Sequence, residues 1–93
     1  EIGYNYRMSN VCAAIGLGQL EVLPDRVSRK REIFDFYKRE LSSIKQISFL
    51  EESPASFSNY WLTTILIDEN SAIDREQLRL HLEKDNIESR PLW

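Results

Sequence analysis

One cysteine, one histidine, three glycines and three prolines are all that this 93-residue chain holds of those types. A single cysteine, Cys12, leaves no internal disulfide to form. It lies in an apolar run, which favours a small buried thiol over a nucleophile. One His and one Cys, far apart in sequence, cannot supply the three or four ligands of a zinc site, so no metal is expected. No apolar stretch approaches the roughly 20 residues that span a bilayer, and no signal-peptide pattern is present. The expectation is a cytoplasmic protein with no membrane partner. Neither sign of charge is in large excess: the net charge is −3, which carries no nucleic-acid signature. The basic residues Arg26, Arg29, Lys30 and Arg31 cluster, but Glu32, Asp35 and Glu40 follow them, as on a solvated helix face. No Gly-rich phosphate loop exists, because Gly16 and Gly18 sit inside an apolar run rather than between a strand and a helix.

What is present is ordinary for a globular chain: 42% hydrophobic and 29% charged residues, enough for one domain of modest stability. Ser9 can cap a helix that opens at Asn10 or Val11. The run Val11-Cys12-Ala13-Ala14-Ile15-Gly16-Leu17-Gly18 has no polar face, and a helix apolar all round is normally buried on every side. Gly16 and Gly18 each cost a helix about 1 kcal/mol against Ala, a cost offset only where another backbone comes very close. This helix therefore wants more neighbours than so short a chain provides. Pro24 ends or kinks it and is well placed to start the next. From Asp25 to about Ile44 the pattern is helical, with Val27, Phe34, Tyr37, Leu41 and Ile44 on one stripe, widened by Ile33 and Phe36.

Two strands are expected next, Ile47 to Glu51 and Tyr60 to Asp68, separated by a loop holding Pro54 and several serines. The second is apolar on both faces and reads as a central strand. Asp74 can cap a further helix, with Gln77 reaching back as in a capping box and Ile73 and Leu78 spaced as a hydrophobic staple. Asn86 suits the left-handed exit of that helix, and Ile87 to Ser89 reads as a short strand. The sum is an α+β fold, long helices on a small, mostly antiparallel sheet.

Few residues offer chemistry. His81 lies among Arg79, Glu83 and Lys84 and reads as a solvated side chain, with no partner assignable by spacing. Glu51 and Glu52 are adjacent on a strand and should point to opposite faces, so they do not form a carboxylate pair. The stretch Gly3-Tyr4-Asn5-Tyr6-Arg7-Met8-Ser9 is different. It sets an amide, a guanidinium and two phenol hydroxyls ahead of a helix N-terminus, which suits an anionic ligand. On residue types alone, a structural loop whose polar groups satisfy one another is the favoured reading.

The order of these residues adds more. Gly3 to Asn10, then Ala13 to Leu17, Gln19-Leu20, Arg29, Arg31 and Tyr37 resemble the C-terminal part of the sugar aminotransferases of the DegT/DnrJ/EryC1/StrS family. Tyr60-Trp61-Leu62, Asp74 to Leu82 and Asn86 to Pro91 fit the same register. The resemblance covers essentially the whole chain, and its first 20 residues are the specific part. It implies a fold-type-I enzyme dependent on pyridoxal phosphate, moving an amino group from glutamate onto a nucleotide-linked keto-sugar for polysaccharide biosynthesis or related glycans. It implies that residues 1–93 are the small C-terminal domain, preceded by an interface loop and helix over 1–23, with the large cofactor domain lying upstream and absent here. The chain begins at Glu1 and stops soon after Arg90-Pro91, and the expectation is a piece of a longer protein. The lysine joined to the cofactor belongs to that upstream domain. Lys30, Lys38, Lys45 and Lys84 match no such position, so the piece is expected to be inactive alone and to bind no cofactor by itself.

By the same resemblance the parent is a homodimer, and Asn5 reaches the cofactor phosphate of the neighbouring subunit. Tyr4, Arg7 and Arg90 are implied to lie near the substrate, and no catalytic residue is assigned. Two other readings remain at this point: a non-catalytic binding or dimerisation module built on the same domain, and a dimeric regulator or scaffold built on the long helix.

Overall fold

The computed structural model describes residues 3–4 and 7–92. Three helices and a two-stranded sheet follow one another as α1 (Asn10–Glu21), α2 (Leu23–Glu40), β1 (Ile47–Phe49), β2 (Ile65–Ile67) and α3 (Arg75–Glu83). The helix boundaries follow local chemistry. The Ser9 hydroxyl accepts from the Cys12 amide and caps α1. Val22 alone separates α1 from α2, and Pro24 stands in the first turn of α2, where its missing N–H costs nothing. Asp74 and Gln77 form a reciprocal capping box: the Asp74 carboxylate accepts from the Gln77 amide at 2.8 Å, and the Gln77 side chain accepts from the Asp74 amide at 2.9 Å. Asn86 takes the left-handed conformation at φ 57°. The Ile87 amide donates back to Leu82 and the Asn86 amide to Glu83, both at 3.0 Å, which is a Schellman closure of α3.

The sheet is smaller than expected. β1 and β2 pair antiparallel with Ile47 opposite Ile67, Ser48 opposite Leu66 and Phe49 opposite Ile65. One further bond at each end, Leu50 to Thr64 and Asp68 to Gln46, lengthens the ladder. Ile65 and Ile67 turn to the covered face while Leu66 is exposed, so β2 is covered on one face only. The expected strand from Tyr60 fails because its first residues are held otherwise. Tyr60 is left-handed at φ 45°. The amides of Tyr60 and Trp61 donate to the side chains of Ser58 and Asn59. Such local side-chain bonds compete with a ladder. Ile87 to Ser89 is likewise not a strand: the Schellman closure holds Ile87, which stays exposed.

The core is small. Phe34 of α2, with 3% of its surface exposed, is the one buried hydrophobic residue among those described. Its ring stacks on Tyr60 at 3.8 Å between centroids and meets Phe49 edge-on at 5.8 Å. Tyr37 and Ile44, expected on the buried stripe, are exposed, as is Phe36. The face of α2 that meets the rest carries Arg31, Phe34 and Lys38, spaced three and four residues apart. The radius of gyration is 18.9 Å, against about 12 Å for a compact chain of this length. The accessible surface is 8750 Å², against about 5,600 Å² for a compact protein of this mass. Much of the excess surrounds α1, which has no buried residue; Val11 is 70% exposed, Ile15 61% and Leu20 63%.

Candidate functional site

The opening segment leads directly into this uncovered helix. Tyr4 and Arg7 are exposed ahead of α1. Asn5 and Tyr6 lie outside the described residues. Arg90 is exposed beyond α3, at the other end of the chain. Neither of the two best-formed cavities, about 260 and 100 Å³, is lined by Tyr4, Arg7 or Arg90. Cys12, expected to be a buried thiol, is exposed. The reason is the same as for its neighbours: the helix that carries it has no cover. His81 is exposed on α3, as expected. Among the described residues no three His, Cys, Asp or Glu side chains group as metal ligands, and no helix is long and apolar enough to cross a membrane.

The most organised polar cluster lies elsewhere. Arg31 of α2 reaches the loop after β1 and grips Glu52 with both terminal nitrogens, at 3.0 and 2.6 Å. It also donates to the Ser58 carbonyl. Its guanidinium lies over the rings of Phe57, 4.4 Å away, and Tyr60, 5.1 Å away. Glu52 accepts in turn from the Ser58 amide at 2.6 Å, and the Glu52 amide donates to the Tyr60 hydroxyl at 3.0 Å. The loop between the strands is thereby tied to α2 through one two-toothed ion pair, the geometry in which Arg binds carboxylate best. The Arg31 hydrogen bonds, followed by the Ser58 amide, hold the Glu52 carboxyl down from the ordinary 4.5 to about 2. Hydrogen bonding to Glu52 raises the Arg31 guanidinium in turn.

Glu51, which like Glu52 lies beyond the end of β1, points elsewhere. It meets Lys38 at 2.8 Å, one exposed pair beside the half-buried one. A hydrogen bond to Glu51 raises the Lys38 ammonium. The two adjacent carboxylates thus go to two cations seven residues apart on α2. This clamp was not foreseen. Its signal was Arg31 and Lys38 standing on the apolar stripe of α2 at core spacing, where a carboxylate from elsewhere has to meet them.

The larger cavity, about 260 Å³, opens beside this clamp and is bordered by Glu51, Glu52, Asn59, Trp61 and Thr64 among others. Trp61 borders it with 59% of its surface exposed. The clamp fixes the loop from which this wall is built.

The residues 1–93 match the model of the DegT/DnrJ/EryC1/StrS aminotransferase family over their full extent. The chain belongs to that family. Among its relatives is the GDP-perosamine synthase of Escherichia coli O157:H7, 51% identical over 92 residues, which are 99% of this chain and 24% of that protein. A protein of Bacillus subtilis (strain 168), EpsN, assigned as a pyridoxal phosphate-dependent aminotransferase, is 44% identical across the whole chain and 24% of its own length. The GDP-perosamine synthase of Vibrio cholerae is 41% identical over 99% of the chain and 25% of its own length. The chain spans about a quarter of the length of these relatives. No solved structure matches it.

Family membership raises the question whether these residues can hold pyridoxal phosphate. A phosphate-bearing cofactor needs an anion site, and fold-type chemistry of this kind needs a lysine. The larger cavity offers neither: two carboxylates and no lysine or arginine line it. Lys38, which reaches that wall through Glu51, is engaged by it in an ion pair. The lining of this cavity does not fit the cofactor.

Proposed function

We propose that the whole protein to which this chain belongs is a pyridoxal-phosphate-dependent transaminase that moves an amino group from glutamate onto a nucleotide-linked keto-sugar. The observation that carries this reading is the full-length family match, joined to 51% identity with a GDP-perosamine synthase over 99% of the chain. Within it, residues 24–93 serve as the small C-terminal domain, and residues 1–23 as an interface loop and helix. Two physical features support that division. The helix α1 is apolar all round and has no buried residue, so it calls for cover on more than one side. The surface exceeds that of a compact chain by about 3,000 Å², the scale of an obligate interface.

The catalytic lysine then belongs to a preceding large domain. The parent assembles as a homodimer in which Asn5 reaches the cofactor phosphate of the neighbouring subunit. Tyr4, Arg7 and Arg90 take places near the substrate. The chain by itself is inactive.

The test is a transaminase assay of the whole protein with pyridoxal phosphate, glutamate and a GDP-linked 4-keto-6-deoxyhexose. The expected result is 2-oxoglutarate formed in step with amino sugar, lost when Asn5 is changed to Ala in both subunits. A whole protein that retains no cofactor after desalting, and forms no 2-oxoglutarate, refutes the enzyme reading and leaves the non-catalytic module.

A further inference from the structure

We infer that the cavity beside the Arg31–Glu52 clamp receives the sugar ring of the nucleotide sugar, with Trp61 as its platform. This rests on the reading of the whole protein as a nucleotide-sugar transaminase, and it assigns one part of the substrate to one wall.

Size is the first argument. At about 260 Å³ the cavity falls just below the roughly 300–1,000 Å³ of sites for drug-sized ligands. It has room for one ring.

Charge is the second. No lysine or arginine lines the cavity, so nothing there holds a diphosphate. The two carboxylates on its wall are already countered by Arg31 and Lys38, which leaves the wall close to neutral. That leaves a diphosphate without a partner and suits an uncharged or amine-bearing ring.

Surface chemistry is the third. A pyranose has an apolar C–H face and a polar rim. Trp61 offers a broad, half-exposed apolar ring, and Asn59 and Thr64 offer donors and acceptors beside it.

Rigidity is the fourth. The Trp61 amide is held by the Asn59 side chain. The preceding Tyr60 is stacked on the buried Phe34 and accepts from the Glu52 amide through its hydroxyl. Arg31 holds Glu52 in place. A backbone already ordered before binding leaves less entropy to lose when a ligand arrives.

The experiment uses the whole protein and its Trp61→Ala variant. The Michaelis constant for the nucleotide sugar should rise about tenfold, equivalent to about 1.4 kcal/mol. The Michaelis constant for glutamate, the 2-oxoglutarate released from glutamate alone and the cofactor content should stay as they were. Saturation-transfer NMR with GDP-perosamine as the probe gives a second readout: transfer to the sugar protons should fall while transfer to the guanine proton persists. Trp61→Phe should restore both, because it keeps a ring. Should the alanine variant lose its cofactor, Trp61→Leu, which keeps bulk without a ring, is read by the same split. An active enzyme whose alanine or leucine variant keeps its nucleotide-sugar constant and its sugar-proton signal overturns the inference and leaves the transaminase reading intact. A whole protein without transaminase activity overturns that reading instead; the sugar-proton signal then decides the inference by itself, and its absence from the unchanged protein overturns this too.

Discussion

Replacing Phe34 by Ala removes the one buried hydrophobic side chain among the described residues, on which Tyr60 and Phe49 meet. Truncating a buried Phe costs about 3–5 kcal/mol. Two ring contacts go with it, to Tyr60 and to Phe49, each of the kind worth about 0.5–1.5 kcal/mol beyond area burial. The higher part of the range is therefore expected, at about 4–5 kcal/mol. A domain of this length holds at most about 5–14 kcal/mol, and this one has a single buried hydrophobic residue among those described. The variant should sit at or beyond its unfolding midpoint at 25 °C. The assay is urea unfolding of the 93-residue chain, followed by near-ultraviolet circular dichroism, which reports the ordered ring stack. Phe36, two residues on and exposed, is the control: Phe36→Ala should stay within about 0.5 kcal/mol. A Phe34→Ala variant that keeps the aromatic signal, or loses under about 1 kcal/mol, would falsify the claim that this ring is the core. A wild-type chain with no cooperative transition sinks it equally.

Acid should release the clamp: Glu52 has its folded pKa depressed to about 2 from 4.5, so its contribution is present above pH 4.5 and is lost as pH falls toward 2. Tyr60 and Phe57 signals in NMR should shift over that window and stop doing so in Glu52→Gln; an unchanged titration in the variant rejects the assignment. Asp74→Ala removes half of the capping box and should cost about 0.5–2 kcal/mol with fraying of α3, while Asp74→Asn should be nearly neutral; amide exchange at Gln77 reads both. Nothing lies within 4 Å of a Cβ built on Gly16 or Gly18. Alanine at either should stabilise the helix of the isolated chain, by about 1 kcal/mol each, and the same changes should destabilise the whole protein if α1 is the proposed interface helix. Equal stabilisation in both settings counts against a close neighbour.

The helix ends were legible because each is written in a few adjacent residues. Ser9, Pro24, the Asp74 and Gln77 pair, and Asn86 act on their own backbone and need no tertiary information. The strand at Tyr60 was not legible. Its β-branched and aromatic run is a true propensity, but the Ser58 and Asn59 side chains take the amides of Tyr60 and Trp61, and Tyr60 is left-handed. The stripe on α2 was half right. Hydrophobic spacing picked Phe34 and also Tyr37, while the contact face turned out to run through Arg31 and Lys38, which a count of apolar residues passes over. Cys12 was misjudged for a related reason. Apolar neighbours in sequence predict burial, and burial needs something to be buried against. Of the candidate site residues, Tyr4, Arg7 and Arg90 are exposed at opposite ends of the chain, and the wall at Trp61 carried no motif that marked it.

These outcomes share one cause. The chain has two parts with different sources of order. From Leu23 onward, side chains close on one another: Phe34, Tyr60 and the Arg31–Glu52 pair make a small centre of contacts that the segment supplies to itself. Before it, α1 has a cap and a helical backbone but no buried side chain. A helix of 12 residues is at the lower edge of what stays helical in water without packing, and two glycines weaken it further. Such a helix persists only where its apolar surface is covered. On the proposed reading of residues 1–23 as an interface loop and helix, the small residues of α1 would let another backbone approach, and the large ones at Val11, Ile15 and Leu20 would fill what lies between. The segment least able to stand alone is then the one that meets the rest of the protein, and the remainder is the support that presents Trp61 and the loop around it.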